Sequence, residues 1–152
     1  LATFARRPDW DLVLGLGGQV TPGEIGPITP NVLTLDYAPQ LEVLAEAACA
    51  INHGGITSIN ECIAHEVPMI VYSPGLLDQD GCAARVAYHG LGIGADWESG
   101  DPADLERHIA QVLASSDMRD RLRAMRTAYD RYENYGVAVR AIEQHLASPP
   151  GK

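Results

Sequence analysis

The segment Cys49-Ala50-Ile51-Asn52-His53-Gly54-Gly55-Ile56-Thr57-Ser58-Ile59-Asn60-Glu61 decides how this chain folds. Cys49 to Asn52 has strand character, two glycines follow His53, and the residues beyond them repeat with helical spacing. A strand that turns on glycine into a helix leaves unpaired N–H groups at the helix start. Those donors and the positive end of the helix dipole make an anion site that needs neither metal nor lysine. His53, at the strand end, can reach the same anion. Ser58 and Glu61 also fit a capping box, in which Ser58 caps the helix and Glu61 answers it. Both readings stand on this stretch alone, so the flanking sequence has to separate them.

Outward from that segment, strands and helices alternate. Residues 1–7 read as the end of a helix stopped by Pro8, and residues 11–18 as a short buried strand entering a glycine turn. Residues 19–30, with three prolines and two glycines, read as a loop. A strand at 32–35 and a loop at 36–40 follow, then a short helix with Leu41, Leu44, Ala45 and Ala48 on one face. After the central helix come a strand at 67–72, a loop at 73–80, a helix at 81–89 ended by Gly90, and a small strand or turn at 92–94. Asp101 as N-cap and Pro102 in the first turn start a helix that runs to about residue 114. Helices at 117–135 and 137–146 and a frayed tail at 149–152 complete the chain. The alternation indicates an α/β fold with a parallel sheet. In such sheets ligands sit beyond the carboxyl ends of the strands, which gathers loops 36–40, 53–58 and 73–80 on one rim.

Composition narrows the partners. The 152 residues suffice for one domain with a sizeable core, and no apolar run reaches membrane-spanning length. A net charge of −9 argues against nucleic acid, and Arg85 is the only Lys or Arg between Asp11 and Gly100. A phosphate bound there must be met by helix N-termini and histidine. Three cysteines, without a close pair, suit reduced thiols and a cytoplasmic setting. The six arginines between Asp117 and His145 are interleaved with five acids and read as a solvated face.

Four pieces in order, Tyr37-Ala38-Pro39-Gln40, His53 to Glu61, Glu66-Val67-Pro68 and Asp78-Gln79, resemble the donor-binding half of family 1 glycosyltransferases. That signature runs roughly W-x-P-Q, H-x-G-x-N-S-x-x-E, G-V-P and D-Q, and the flavour is that of bacterial macrolide and antibiotic enzymes. The resemblance implies a Rossmann-like parallel sheet flanked by helices, the C-terminal half of a GT-B enzyme. It implies inverting transfer of a sugar from a UDP- or TDP-sugar to a small-molecule hydroxyl, of natural-product type. Tyr37, Ala38, Gln40 and Glu61 would hold nucleobase and ribose. His53, Gly54, Gly55, Thr57 and Ser58 would hold the diphosphate, and Asp78 and Gln79 the sugar. No catalytic base is expected in this chain; it would lie, with the acceptor, on an N-terminal domain. No cofactor or metal is implied, and the two D-x-D matches, Asp9-Trp10-Asp11 and Asp78-Gln79-Asp80, are weak metal signals. A non-catalytic nucleotide-sugar-binding module and half of a sugar-nucleotide epimerase are the alternatives.

The departures are specific. Tyr37 replaces tryptophan, Thr57 asparagine, Glu66 the glycine of G-V-P and Cys82 an asparagine, while Leu76-Leu77 stands where glycine usually precedes the aspartate. The family domain also opens with a strand, a glycine-rich loop and a helix, whereas this chain begins inside that helix at Leu1. Residues 1–148 are therefore expected to be a donor-binding domain lacking its first strand, a fragment of a two-domain enzyme, and 149–152 a tail. Its sheet would carry two open inner edges, to be closed by another chain, a rearranged strand or the missing segment bound non-covalently.

Overall fold

A computed structural model describes residues 1–98, 101–134 and 136–147. The expected helix end at 135, the domain limit at 148 and the tail at 149–152 lie outside the described residues. In chain order the elements are α1 (Ala2–Arg6), β1 (Leu12–Gly15), β2 (Val32–Leu35), α2 (Gln40–Glu46), β3 (Ala50–Asn52) and α3 (Ile56–Ala64). They continue with β4 (Met69–Ser73), α4 (Gln79–Tyr88), β5 (Gly92–Asp96), α5 (Pro102–Ala114), α6 (Ser116–Asn134) and α7 (Val137–Ala147).

All strand pairs are parallel, in two sheets: β1 with β2, and β3 with β4 and β5 in that order. β1 and β3 each keep one edge outside the ladders, where the first strand of a 3-2-1-4-5-6 sheet would lie. Two apolar layers sandwich the larger sheet. Met69 and Val71 face a core with Ile59, Cys62, Ile63, Val86 and Leu122, from α3, α4 and α6. Ile70, one residue out of phase, faces the other core with Phe4, Val32, Ile109 and Val112, as strand alternation requires. Because Phe4 and Val32 belong to that second core, side chains join the two sheets where backbone hydrogen bonds do not. Asn31 fastens the same corner, its amide donating to the carbonyls of Phe4, Arg7 and Trp10.

Several elements differ from the sequence reading. β1 is only half-buried, with Val13 exposed, because it has a partner on one side alone. Of the face expected on α2 only Leu44 is buried, since the helix touches the core along a single line. β5 extends to Asp96, five residues instead of three, because its whole length pairs with β4. Glu66 takes φ +58°, the left-handed conformation that the pattern's glycine would supply, and Arg126 and Arg123 of α6 hold its carboxylate at 3.3 and 3.7 Å. The turn into β4 is thus kept at a cost of about 1–3 kcal/mol in backbone strain.

The start of α5 is as expected: the Asp101 carboxylate accepts from the Ala103 N–H at 2.8 Å, with Pro102 in the first turn. Asp101→Ala should lower stability by about 1 kcal/mol. A urea titration would show this as an earlier midpoint at unchanged slope; an unmoved midpoint would mean that the cap contributes nothing. Among the described residues no helix is long and apolar enough to cross a membrane.

Candidate functional site

The rim is built where β2, β3 and β4 run out at their carboxyl ends. After β3, Asn52 accepts a hydrogen bond from the Gly54 N–H at 2.9 Å, and Gly54 turns the chain at φ +90°. Gly55 is the N-cap of α3 and makes no side-chain cap. The first N–H groups of α3 therefore have no helical partner and point out of the rim. The exposed His53 ring lies over the same turn, with Nε2 only 2.8 Å from where a Cβ on Gly55 would stand.

The capping box is not formed. α3 begins at Ile56, so Ser58 sits inside the first turn and Glu61 in the second. Both face Gln40 instead: its Nε2 donates to Ser58 Oγ at 3.4 Å and, in a very short contact, to Glu61 Oε2. Gln40 is the first residue of α2 rather than part of the preceding loop. Pro39 occupies the cap position, where its fixed φ suits a helix start. Tyr37 is 81% exposed, its face open and its ring edge near Gly18. Ala38 packs beside Gly15, its Cβ 3.7 Å from where a Cβ on that glycine would stand.

The third loop ends earlier than expected. α4 starts at Gln79, which puts Asp78 at the N-cap without a cap hydrogen bond. Leu77 before it takes φ +54° and is 98% exposed, a leucine in a glycine's conformation where the family pattern carries glycine. Gln79 packs against Gly54, and Asp80 accepts from Ser73 Oγ at 2.5 Å. Cys82, in asparagine's place, reaches the Asp78 carboxylate at 3.8 Å.

The predicted residues thus fall into two groups in contact, Gln40 with Ser58 and Glu61, and Gly54 with Gln79, beside the open faces of Tyr37, His53 and Thr57. Sequence reasoning found the glycine turn at Leu16-Gly17-Gly18 but did not place it on this rim, where Gly18 lies against the Tyr37 ring. It also missed the Ser73–Asp80 bond and the roles of Asn52. All three cysteines are free thiols. Burial, reinforced by the neighbouring Cys62, pushes Cys49 up to about 12, and burial with the Glu61 charge does the same to Cys62. Neither supplies a thiolate at neutral pH. Among the described residues no three His, Cys, Asp or Glu side chains gather as a metal would require.

A parallel α/β sheet with a glycine turn, a bare helix N-terminus and an open aromatic at its carboxyl rim defines the class of open α/β domains whose ligand crevice lies beyond the strand ends. The chain belongs to the family described as the erythromycin biosynthesis protein CIII-like C-terminal domain, which it matches over residues 4–131. It is 36% identical over 147 residues to demethyllactenocin mycarosyltransferase of Streptomyces fradiae, covering 95% of this chain and 31% of that protein. The crystal structure of the glycosyltransferase of kitacinnamycin superposes with a TM-score of 0.86 at 31% identity, over 94% of this chain and 37% of the other. The glycosyltransferase VinC, solved in complex with dTDP, gives 0.74 at 25% identity, over 88% and 34%. The fold is that of the C-terminal half of GT-B glycosyltransferases, and the chain spans about a third of the length of these relatives.

Proposed function

We propose that this domain binds the donor of an inverting glycosyltransferase, which moves a sugar from a UDP- or TDP-sugar to a hydroxyl of a small natural-product acceptor. The observation that carries the reading is the convergence on one rim of the Tyr37 face, the Gln40–Glu61 pair and the bare N-terminus of α3 under His53. Tyr37 stacks on the base, in contact with Ala38; Gln40 and Glu61 meet the ribose hydroxyls. Glu61 Oε2 already accepts from an amide where a hydroxyl would donate. His53, Ser58, Thr57 and the Gly55 N–H surround the diphosphate, on the turn that Gly54 makes with its own N–H held by Asn52. Asp78 and Gln79, at the head of α4, take sugar hydroxyls.

In the reaction the acceptor O–H gives its proton to a base outside this chain, and its oxygen bonds to the anomeric carbon. The bond from that carbon to the diphosphate oxygen breaks, and its electron pair leaves on the phosphate. The growing charge falls on donors already aimed at it, which lowers the barrier. The relatives are named as transferases, which favours transfer over an auxiliary or an epimerase role. The acceptor and its base belong to the N-terminal part of the full-length enzyme.

No metal is needed in this scheme, because a helix dipole and a histidine meet the leaving group. Calorimetry on the full-length enzyme should show UDP or TDP binding unchanged by EDTA, with turnover of the corresponding sugar donor equally unaffected. Absence of binding by both nucleotides would end the donor-site reading. Turnover lost in EDTA and restored by magnesium or manganese would end the metal-free one.

A further inference from the structure

We infer that Asn52 is a positioning residue that fixes which end of the Gln79 amide faces the sugar, an inference that rests on the donor-binding reading above. Asn52 Oδ1 is committed to the Gly54 N–H at 2.9 Å, which fixes the orientation of its amide and turns Nδ2 inward. That Nδ2 is buried without a hydrogen-bond partner. Gln79 Oε1 is likewise buried and unpartnered. One is a donor and the other an acceptor, and leaving either buried and unmatched is costly.

They flank the same residue. Asn52 shares the sheet face of Ala50, which packs on the core that α3 and α4 cover, and its register partner is Val71. A Cβ on Gly54 would stand 3.0 Å from Val71 Cγ1, 3.1 Å from the Gln79 carbonyl and 3.5 Å from Gln79 Cβ. Gly54 therefore lies directly between the end of β3 and the first residue of α4. Across it one water bridges the Asn52 side-chain Nδ2–H and Gln79 Oε1, matching both unpartnered atoms, and Gln79 Nε2 is left for the rim. Sugar recognition is then set from behind by a residue that never touches the ligand.

The test is Asn52→Asp in the full-length enzyme, with UDP, TDP and their glucose conjugates as probes. Aspartate keeps an oxygen on the Gly54 N–H but sets a second oxygen against Gln79 Oε1, so the Gln79 amide must turn over. Affinity for UDP or TDP alone should stay within about twofold, while the KM for the sugar conjugate rises roughly five- to tenfold, the worth of one hydrogen bond. In a Gln79→Ala background the same substitution should change that KM by less than about twofold, since coupled residues are not additive. Asn52→Ser, whose hydroxyl can still accept from Gly54 but is too short to reach Gln79, gives the same expectation if the aspartate variant does not fold. Equal losses for nucleotide and conjugate, or effects that multiply in the double variant, would overturn the inference and leave the donor site standing. A wild-type enzyme that binds neither nucleotide would overturn both.

Discussion

Gly54→Ala should destabilise the protein by about 2–5 kcal/mol, combining backbone strain with overpacking. At φ +90° a side chain is strained whatever space surrounds it. Here there is no space either, because the new methyl would meet Val71 Cγ1 at 3.0 Å and a backbone oxygen of Gln79 at 3.1 Å. A flexible side chain can step aside, but the first carbonyl of α4 cannot move without shifting the helix. The urea midpoint should fall steeply, and binding of UDP or TDP should fall with it, since the same turn presents the start of α3. Gly23→Ala is the control: its φ is not in the positive region and no atom lies within 4 Å of the added Cβ. That change should stay within about 0.5 kcal/mol. A Gly54→Ala protein as stable as this control would show that the turn does not depend on glycine.

His53→Ala should do the reverse, sparing the fold and emptying the site of its main side-chain donor. The ring is exposed over Gly55, so its loss should change stability by no more than about 0.5 kcal/mol. A hydrogen bond to a charged phosphate is worth about 1.5–3 kcal/mol, which corresponds to roughly 10- to 150-fold in affinity. Calorimetry with UDP and TDP, set beside a urea titration of the same variant, separates the two effects. Unchanged affinity would remove His53 from the site. With no Lys or Arg between Asp11 and Arg85, no neighbouring side-chain cation stands ready to replace it.

The order of strands and helices was legible because glycine and proline punctuate this chain at nearly every junction. The beginnings of helices were less so. Ser58 and Glu61 satisfy the letters of a capping box, yet the same spacing also sets two acceptors side by side to receive Gln40. The true cap, Gly55, has no side chain to announce it. Glu66 and Leu77 teach a related lesson. At both positions the family pattern has glycine, and at both the backbone keeps a positive φ with a bulkier residue in place. The pattern recorded a backbone shape, which survives a change of letter. Asn52 was invisible for another reason: its importance lies in an atom left unmatched, and pairing across a sheet face has no local signal.

The division of the strands into two ladders has a mechanical consequence. Tyr37 and Gln40 follow β2, on the smaller ladder, whereas His53, Ser58 and Glu61 follow β3, on the larger. The apolar corner around Phe4 and Val32, Leu44 of α2 in the core under the larger sheet, and the Gln40 hydrogen bonds all span that division. On the donor-binding reading proposed above, a nucleotide with its base on Tyr37 and its phosphates on α3 would act as a cross-brace, touching the ends of both ladders at once. By binding the folded state alone it would raise stability by RT ln(1 + L/Kd), with L the free nucleotide concentration, so unfolding of the protein should shift with nucleotide concentration.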